Sequence, residues 1–306
     1  MINFMKILIS DKINETSLIK LKENGIGYDY LPEITPQELI VSIQVYNGLI
    51  VRSRTKVTKE VIRKGNNLKV IGRVGSGVDN IDIMEAKKKN ILVVNSPGAN
   101  SQAVSELTVA LILSFLRKLD KAYPSMKNGL WLKKELTGSE LCGKTVGIIG
   151  YGNIGKKVEK ILKAFGAEVL IYSRSYKTKE LQEIFQISDI ITIHLPLNKD
   201  TKGFISDEKL AGMKKTAFLV NTSRGEIIDE NALLEMVSEG KIAGCALDVY
   251  SKEPLPIESP WRKLENAILT PHIGASTKEA LKKGSITVIE DIIKVIKGVR
   301  PVNQVL

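Results

Sequence analysis

The sequence predicts an α/β fold in which two doubly wound parallel sheets form two domains. Short apolar segments alternate with amphipathic helical segments over residues 1–95, which is typical of a parallel sheet covered by helices on both faces. The apolar segment Thr145–Ile149 is followed at once by a glycine-rich turn and then by a helical apolar pattern. About 140 residues precede that turn, enough for a separate domain in a chain of 306 residues.

The first domain begins with alternating strands and helices. Its predicted buried strands are Lys6–Ile9, Tyr28–Leu31, Gly48–Arg52, Leu68–Val74 and Ile91–Val94. The alternation stops around residues 95–100, and a long helix is predicted from Ala103 to about Leu119. We therefore expect a hinge between domains at this point.

The second domain continues the same pattern and ends in a helix. Its predicted strands are Thr145–Ile149, Glu168–Tyr172, Asp189–His194, Ala217–Asn221, Gly244–Asp248 and Ala267–Leu269. The closing helix, from about Lys278 to Lys297, comes too late to start another sheet and is expected to return to the first domain. Two such domains joined by two crossings predict a cleft, which is where ligands of these folds usually bind.

The turn after Thr145–Ile149 has the glycine spacing of a dinucleotide-binding loop. In such a loop the first glycine makes a tight turn, the second lets a pyrophosphate approach the backbone, and the third lets the helix pack on the strand. The amides at the start of the helix then face the anion. An ordinary turn between a strand and a helix is the alternative. The residues predicted to bind a dinucleotide here are Gly150, Gly152, Asn153, Ile154 and Gly155.

Composition argues against several classes of function. The formal net charge of +11 comes from lysines scattered over amphipathic helices, so we expect a surface that attracts small anions rather than nucleic acid. The longest strongly apolar stretch, Leu107–Phe115, is too short to cross a membrane. Cys142 and Cys245 lack metal-ligand spacing and are predicted to be packed thiols in a reducing compartment. We therefore expect a cytoplasmic protein without a metal.

Three chemistry-bearing residues follow consecutive predicted strands. Arg224 lies in Asn-Thr-Ser-Arg-Gly, Glu253 follows the next strand, and His272 lies in Pro-His-Ile-Gly-Ala after the last. The carboxyl ends of parallel strands meet at one sheet edge, so these side chains are expected to lie together. Reduction of a ketone needs a proton donor, a cation that holds the carbonyl acid and a group that keeps the donor charged. Each residue alone would suit a solvated surface.

These motifs resemble those of the D-isomer-specific 2-hydroxyacid dehydrogenase family, and the resemblance covers essentially the whole chain. It implies a Rossmann dinucleotide-binding domain over residues 97–275, inserted into a flavodoxin-like substrate-binding domain of residues 1–96 and 276–306. It also implies that Arg224, Glu253 and His272 are catalytic and that Asp248 contacts the nicotinamide, unless Asp248 only caps its strand. Further residues implied to bind the dinucleotide are His194, Pro196, Thr222, Ser223 and Gly274.

The implied substrate is a small anionic 2-hydroxy or 2-keto acid. The first domain resembles that of members that oxidise 3-phosphoglycerate, and Arg52 and Arg73, each at a strand end, are expected to bind the phosphate. Arg224 and His272 are expected to contact the reacting end of the substrate. Arg52 and Arg73 could instead be plain surface residues. A backbone nest for the substrate carboxylate is expected from Gly75, Ser76 and Gly77.

The cofactor is expected to be NAD(H) or NADP(H). Family members that use NAD usually carry an acidic residue at the end of the second nucleotide-domain strand. Ser173 and Arg174 stand there instead and suit a 2′-phosphate, which favours NADP(H) or dual use, unless Arg174 stacks on adenine or faces water. Only 15 residues separate Arg174 from Ile190, so the third strand and its helix are predicted to be shortened.

Three functions are carried forward. The first is oxidation of 3-phosphoglycerate to 3-phosphohydroxypyruvate, a step of serine biosynthesis, in a short form that is expected to lack the C-terminal regulatory domain of longer relatives. The second is an NADPH-dependent glyoxylate or hydroxypyruvate reductase. The third, from another class, is a dinucleotide-sensing protein of the corepressor type. The segment Ser125–Lys133 resembles the part of the family that joins two subunits, so a homodimer is expected.

Overall fold

The computed structural model describes residues 5–305 and divides the chain into two compact units. Unit 1 consists of the residues up to Asn100 together with those from Ala275 onward, and unit 2 consists of Ser101–Gly274. Each unit is built on one parallel sheet, with five strands in unit 1 and six in unit 2. The predicted α/β class with two parallel sheets is therefore confirmed.

Unit 1 has the strand order β2-β1-β3-β4-β5, which is the flavodoxin-like order. The strands are β1 Lys6–Ile9, β2 Gly27–Tyr30, β3 Gly48–Val51, β4 Val70–Arg73 and β5 Leu92–Asn95. The helices are α1 Ile19–Glu23, α2 Pro36–Ser42, α3 Lys59–Lys64, α4 Ile83–Lys88 and, from the end of the chain, α11 Lys278–Ile296.

The sheet of unit 1 is buried on both faces, because successive strand residues point to opposite sides. On one side Leu8 joins the apolar cluster of α2, α3 and α4. On the other side Ile7 and Ile9 pack with Val288 and Ile292 of α11. The short continuous apolar strands of the sequence are thus explained by cover on both faces.

Unit 2 has the strand order β11-β10-β9-β8-β6-β7. The strands are β6 Thr145–Ile149, β7 Glu168–Tyr172, β8 Ile190–Ile193, β9 Phe218–Asn221, β10 Gly244–Leu247 and β11 Ala267–Leu269. The helices are α5 Ser101–Leu116, α6 Leu119–Lys127, α7 Asn153–Ala164, α8 Leu181–Ile187, α9 Asp207–Ala211 and α10 Glu230–Ser238. Short 3₁₀ helices complete the two units at Glu15–Leu18, Ile43–Val45, Gly225–Ile227 and Pro260–Lys263.

Strand β7 is the edge of the unit 2 sheet, where a Rossmann sheet of the usual order has a further strand. The interval between β7 and β8 holds the seven-residue helix α8 and one isolated antiparallel bridge, Tyr172 to Lys177. Within residues 5–305 no strand lies between β7 and β8, so the predicted shortening extends to loss of the third strand, and α8 is the short helix.

The prediction of one long helix from Ala103 to about Leu119 was wrong, because the structure divides this segment into two helices. Helix α5 ends at Leu116, and Lys118 takes a left-handed conformation with φ of 51° before α6 begins. The carbonyl oxygen of Leu116 accepts a hydrogen bond from the amide of Ser139 at 2.8 Å. That carbonyl is thus paired outside the helix, and the chain turns into α6 instead of continuing.

The cysteine prediction was half wrong. Cys245 in β10 is buried, and burial raises the pKa of its thiol, but Cys142 is exposed. Within residues 5–305 no group of three or more His, Cys, Asp or Glu side chains is arranged to hold a metal ion. None of the helices in the same part of the chain combines the length and the apolar character needed to cross a membrane.

Candidate active site

Three loops at the carboxyl edge of the unit 2 sheet carry the predicted catalytic residues. Strands β9, β10 and β11 are neighbours, and Arg224, Glu253 and His272 follow them in that order. The structure brings Glu253 and His272 into direct contact, with Nδ1 of His272 and Oε2 of Glu253 2.7 Å apart. Their side chains are 34% and 30% exposed, respectively, so a ligand can reach the pair.

The charge of Glu253 determines which ring nitrogen of His272 can exchange a proton with a ligand. Burial alone would raise the pKa of Glu253, but the hydrogen bond and charge of His272, together with the charge of Arg224, lower it. An ionised carboxylate only accepts hydrogen bonds, so Nδ1 of His272 donates and carries a proton. The other ring nitrogen, Nε2, is then the atom that can give or take a proton.

The Arg224 loop is shaped by Asn221, the last residue of β9. The Asn221 side chain donates from Nδ2 to the Arg224 carbonyl at 2.9 Å and accepts from the amide of Ser223 at 3.0 Å. The guanidinium of Arg224 donates from Nη1 to the Ser223 carbonyl at 2.7 Å. These bonds fix the direction in which the guanidinium leaves the sheet edge. Sequence reasoning gave Asn221 no role, although its place before the arginine was visible.

Close packing against another segment of backbone requires a glycine at position 225. A Cβ added to Gly225 would collide with the backbone carbonyl of Tyr250 and the amide of Ser251. The Arg224 loop therefore lies directly against the peptide that leads to Glu253. The amide of Tyr250 in turn donates to Oε1 of Glu253 at 3.1 Å.

Asp248 holds the loop that carries His272. It is 1% exposed, and its Oδ1 accepts from the hydroxyl of Thr270 at 2.6 Å and from the amide of Ile273 at 2.8 Å. Its Oδ2 accepts from the amide of Gly274 at 2.8 Å. His272 itself has a φ of 52°, a conformation that is uncommon outside glycine and needs such support. Asp248 was predicted to contact nicotinamide or to cap its strand; the bonds seen here run instead to the loop that follows β11.

Glu230 is a supporting residue that sequence reasoning missed. As the first residue of α10, it accepts from the amide of Ser251 at 2.8 Å and from the indole of Trp261 at 2.9 Å. Both donors flank the segment that contains Glu253. Trp261 is buried, with 2% exposure, and its burial is the only part of this arrangement that hydropathy could have predicted.

The glycines of the predicted dinucleotide loop meet the requirements of that role. Gly150 has a φ of 104°, and an added Cβ would lie 2.5 Å from the carbonyl oxygen of His194. A Cβ on Gly155 would collide with the carbonyl oxygen of Gly150, so the third glycine lets α7 pack against the turn. A Cβ added to Gly152 would meet no atom within 4 Å beyond its neighbours in the chain, which leaves room at the start of α7, next to Asn153 and Ile154. These features fit a pyrophosphate at the helix N-terminus.

His194 follows β8 beside this turn and is buried. Its Nε2 lies 3.0 Å from the hydroxyl of Thr192, and within residues 5–305 its Nδ1 has no hydrogen-bond partner. Burial lowers the pKa of His194 to about 3, so its ring is neutral near pH 7. Pro196, two residues on, is exposed.

Thr222 and Gly274, also predicted to bind the dinucleotide, are interior residues. The hydroxyl of Thr222 lies 3.0 Å from that of Thr108 on α5, and both are buried. Gly274 is packed so closely that an added Cβ would lie 3.1 Å from Oδ2 of Asp248. The hydroxyl of Ser223 donates to Oδ1 of Asn221 at 2.7 Å. In this structure these residues shape the sheet edge.

Ser173 and Arg174 lie in the tight turn after β7. The Ser173 hydroxyl donates to the carbonyl of Tyr176 at 2.7 Å and accepts from its amide at 3.0 Å. The single hydroxyl hydrogen of Ser173 is therefore used within the turn. Arg174, at the tip of the turn, is exposed.

In unit 1, Arg52 and Arg73 were predicted to bind the substrate phosphate, and the two have different surroundings. Arg52 follows β3, and its guanidinium donates from Nη1 to the Lys12 carbonyl at 3.2 Å. Burial lowers the pKa of Arg52, against the charge of Asp11. The nearby Arg54 is committed to the structure, since its Nε donates to Oδ1 of Asp11 at 3.0 Å and its Nη1 donates to the carbonyl of Ile34 at 3.2 Å.

Gly75 was predicted to form a nest for the substrate carboxylate together with Ser76 and Gly77. Its amide donates to the hydroxyl of Ser96 at 2.8 Å, so it is not available to a substrate in this conformation. A Cβ on Gly75 would collide with the guanidinium of Arg73, which is 7% exposed. The glycine thus makes room for a buried arginine. Ser76 donates its hydroxyl to Oδ1 of Asn100 at 2.9 Å, and Gly77 comes directly after the bend of residues 74–76.

Comparisons with known proteins point to one family. Residues 109–274 match the family model described as D-isomer specific 2-hydroxyacid dehydrogenase, NAD binding domain. D-3-phosphoglycerate dehydrogenase of Methanocaldococcus jannaschii is 44% identical over 96% of this chain, but the chain spans only 58% of that relative's length. Hydroxypyruvate reductase of Thermotoga maritima is 42% identical over 93% of this chain and 95% of its own length.

Solved structures show the same architecture. An acyclic imino acid reductase in complex with NADPH and D-Arg superposes with a TM-score of 0.90 and 32% identity, over 99% of this chain and 100% of its own. The likeness therefore extends over both sheets and the loops described above.

Proposed function

The chain belongs to the D-isomer-specific 2-hydroxyacid dehydrogenase family, and we propose that it interconverts D-2-hydroxy acids and 2-keto acids with a nicotinamide dinucleotide. We propose 3-phosphoglycerate and 3-phosphohydroxypyruvate as the substrate pair, because several relatives carry the name D-3-phosphoglycerate dehydrogenase. The observation that carries the proposal is the 2.7 Å hydrogen bond between Glu253 and His272 at the edge that also bears Arg224.

His272 exchanges the proton of the substrate oxygen in this proposal. In oxidation, neutral His272 accepts the hydroxyl proton at Nε2, since Nδ1 already carries a proton directed to Glu253. In reduction, the imidazolium returns that proton to the keto oxygen. The carboxylate of Glu253 stabilises the imidazolium in both directions and holds the ring in place.

Arg224 binds the substrate in this proposal. A guanidinium carries five N–H donors in a planar fork, which suits a carboxylate and an adjacent keto oxygen. The positive charge also stabilises the negative charge that develops on that oxygen. Arg224 therefore contributes both to substrate binding and to turnover.

The dinucleotide would be held by the loop Gly150–Gly155, at the N-terminus of α7. When bound, it supplies or accepts the hydride at the substrate carbon. We propose NADP(H), or dual use of NADP(H) and NAD(H), because Arg174 stands where NAD-dependent members usually have a carboxylate. One structural neighbour is in complex with NADPH and another with NAD+, and the matching family model is described as NAD binding.

Arg52 is the proposed contact to the substrate phosphate. Its guanidinium is half-buried, and burial lowers its pKa, so a nearby anion would stabilise the charge. Arg54 is unsuited to this task because it is bonded to Asp11 and to carbonyl groups. Asn80 supports the loop by donating to the carbonyl of Arg52 at 2.7 Å. Arg73 is proposed as a second, more deeply placed cation.

A hydroxypyruvate or glyoxylate reductase is the second candidate. It is favoured by the match to hydroxypyruvate reductase over 95% of that relative's length, and by the basic residue Arg174. Both candidates use the same Arg224, Glu253 and His272. They differ in whether the protein prefers a phosphorylated substrate.

A substrate panel distinguishes the two. Initial rates are measured with 3-phosphohydroxypyruvate, hydroxypyruvate and glyoxylate, each with NADH and with NADPH. We expect the highest kcat/KM with 3-phosphohydroxypyruvate, and Arg52→Ala should remove that advantage while leaving hydroxypyruvate nearly unchanged. Higher kcat/KM with hydroxypyruvate in the unsubstituted protein would favour the second candidate. Dinucleotide binding without turnover on any 2-keto acid would favour a sensing protein and contradict both.

A homodimer is also proposed, through the surface of α6 and the segment that follows it. Apolar side chains on this surface are unusually exposed, with Trp131 at 77%. Exposed apolar groups of this size commonly mark protein interfaces. Light scattering should give twice the chain mass, and Trp131→Ser should shift the equilibrium toward the monomer. The other members of this apolar surface are Leu119, Tyr123, Met126 and Leu130.

A further inference from the structure

The chain reverses direction immediately after β7, in a turn that we define as residues 173–178. The amide of Ser173 donates to the carbonyl of Tyr176 at 2.9 Å, and Tyr172 bridges to Lys177. Thr178 closes the turn, since its amide donates to the carbonyl of Ile171 at 2.9 Å and its Oγ1 accepts from the amide of Ile171 at 2.9 Å. This turn stands where a third strand would otherwise continue the sheet.

The turn is joined to the glycine loop by two aromatic rings. Tyr176 stacks on Tyr151, with ring centroids 5.3 Å apart and an interplanar angle of 28°. Tyr151 lies between Gly150 and Gly152, in the loop proposed to hold the pyrophosphate. Stacked rings of this kind contribute on the order of 1 kcal/mol beyond the area that they bury. This contact therefore adds a side-chain restraint to the backbone bonds that hold the turn.

Tyr151 is itself fixed from the other side. Its hydroxyl donates a short hydrogen bond to Glu159 on α7, and Glu159 also pairs with Lys163 at 2.8 Å. The bond to Glu159 raises the pKa of Tyr151 to about 12, so its hydroxyl stays protonated. The carboxylate of Glu159 is thereby engaged by two donors, which reduces its capacity to repel an anion bound at the turn.

Basic side chains lie at the turn and beside the Tyr151 ring. Arg174 occupies its exposed tip, and Lys156 Nζ lies 5.8 Å from the centroid of the Tyr151 ring. Lys177 pairs with Glu180 at 2.6 Å. An arginine held in one place loses less conformational entropy on binding an anion than a mobile one does.

We propose that Tyr176 and Tyr151 are positioning residues that fix the 173–178 turn, so that Arg174 can recognise a phosphate on the adenosine ribose of the dinucleotide. The inference rests on the proposed cofactor site and adds the residues that set its specificity. The stack of Tyr176 on Tyr151 carries the inference, because it joins a side chain of the turn to a side chain of the glycine loop. Ser173 acts within the turn, through its bonds to Tyr176, and not as a phosphate donor.

The test uses fragments of the dinucleotide that lack nicotinamide, so it needs neither turnover nor a known keto acid. Calorimetry measures the dissociation constants of 2′,5′-ADP and of 5′-AMP for the full chain and for Tyr176→Ala, Tyr176→Phe and Arg174→Ala. Tyr176 is 50% exposed, so its substitution should leave folding intact. We expect Tyr176→Ala to weaken 2′,5′-ADP about tenfold, as expected for the loss of one charge-assisted hydrogen bond, and 5′-AMP less than about twofold.

The matched variants separate positioning from contact. Tyr176→Phe keeps the ring and should bind both fragments as the full chain does. Arg174→Ala should lose the preference for 2′,5′-ADP, and adding Tyr176→Ala to it should cause no further loss, because both residues act through one contact. The inference is overturned if Tyr176→Ala leaves 2′,5′-ADP unchanged or weakens both fragments equally.

Failure of the inference is distinguishable from failure of the proposed function. If the full chain binds the two fragments equally well, the inference is wrong while an NAD-dependent dehydrogenase remains. If it prefers 2′,5′-ADP but turns over no 2-keto acid, the proposed function fails and the inference stands. Absence of binding for both fragments would overturn both.

Discussion

The two ends of the six-stranded sheet of unit 2 hold their loops by different means. Over β9, β10 and β11, carboxylates bind the loops, with the buried Asp248 accepting three hydrogen bonds and the partly exposed Glu230 accepting two. Over β7, the exposed 173–178 turn is held by backbone bonds and the stack of Tyr176 on Tyr151. The proposed roles follow this difference: proton transfer is assigned to the tightly fixed edge, and cofactor selectivity to a turn that can change without disturbing the core.

The largest effect is expected from removing the proton-exchanging group at the fixed edge. His272→Ala should lower kcat by about 10² to 10⁴, which is the usual contribution of a general acid or base. Dinucleotide affinity should stay within about twofold, because the ring contacts Glu253 and not the glycine loop. Steady-state rates and fluorescence titration with NADPH measure the two quantities.

The neighbouring Ile273 offers a matched control for this variant. Its side chain is 40% exposed, and only its amide is bonded to Asp248. Ile273→Ala should therefore retain most of the turnover. Equal losses in His272→Ala and Ile273→Ala would mean that the loop as a whole, and not the imidazole, matters for the reaction.

A second test asks how closely the loops of the fixed edge are packed. In Gly225→Ala the added methyl group would meet the peptide between Tyr250 and Ser251. Backbone cannot move aside cheaply, so we expect a loss of about 3 kcal/mol in the free energy of unfolding, and reduced turnover as Arg224 and Glu253 separate. Urea unfolding followed by tryptophan fluorescence measures the stability.

Gly27→Ala provides the comparison, since an added Cβ there would make only ordinary contacts at 3.7 Å. That substitution should change stability by less than about 0.5 kcal/mol. If Gly225→Ala is as well tolerated as Gly27→Ala, the fixed edge is more adaptable than its packing indicates, and the contrast with β7 weakens.

The third prediction concerns Asp248. Asp248→Asn keeps the shape but directs an amide NH₂ toward donors, so at least one of the bonds from Thr270, Ile273 and Gly274 is lost. We expect a destabilisation of about 1 to 3 kcal/mol and a fall in kcat that exceeds any change in KM, because the His272 loop loosens. Kinetics that show only a raised KM for the dinucleotide would instead support a direct nicotinamide contact.

Much of the fold was visible in the sequence because its signals are local. The apolar segments of β1, β3 and β8 are buried on both faces, so each is recognised without knowing its neighbours. The break between α5 and α6 was not visible, because it depends on the amide of Ser139, 23 positions along the chain from Leu116. A pattern of helical apolar residues contains no information about such a partner.

The candidate site likewise contains residues that the sequence could predict and residues that it could not. Arg224, Glu253 and His272 were found because parallel strands bring their carboxyl ends to one edge. Their supports, Glu230 and Asn221, look like ordinary polar residues at the start of a helix and the end of a strand. Only the fold shows that Glu230 accepts from Ser251 and Trp261.

The last and smallest effect should come from His194, which follows β8 between the two ends of the sheet. Burial lowers the pKa of His194 to about 3, whereas an unfolded histidine has a pKa near 6.5. Between these values the unfolded chain binds a proton that the folded chain does not, so stability falls as the pH falls from about 6.5 toward 3. Relative to His194→Gln, the full chain should lose about 1.4 kcal/mol of unfolding free energy between pH 8 and pH 5.5. Urea unfolding at both pH values measures this difference, and parallel pH dependence in the two proteins would show that the imidazole is accessible to protons in the folded state.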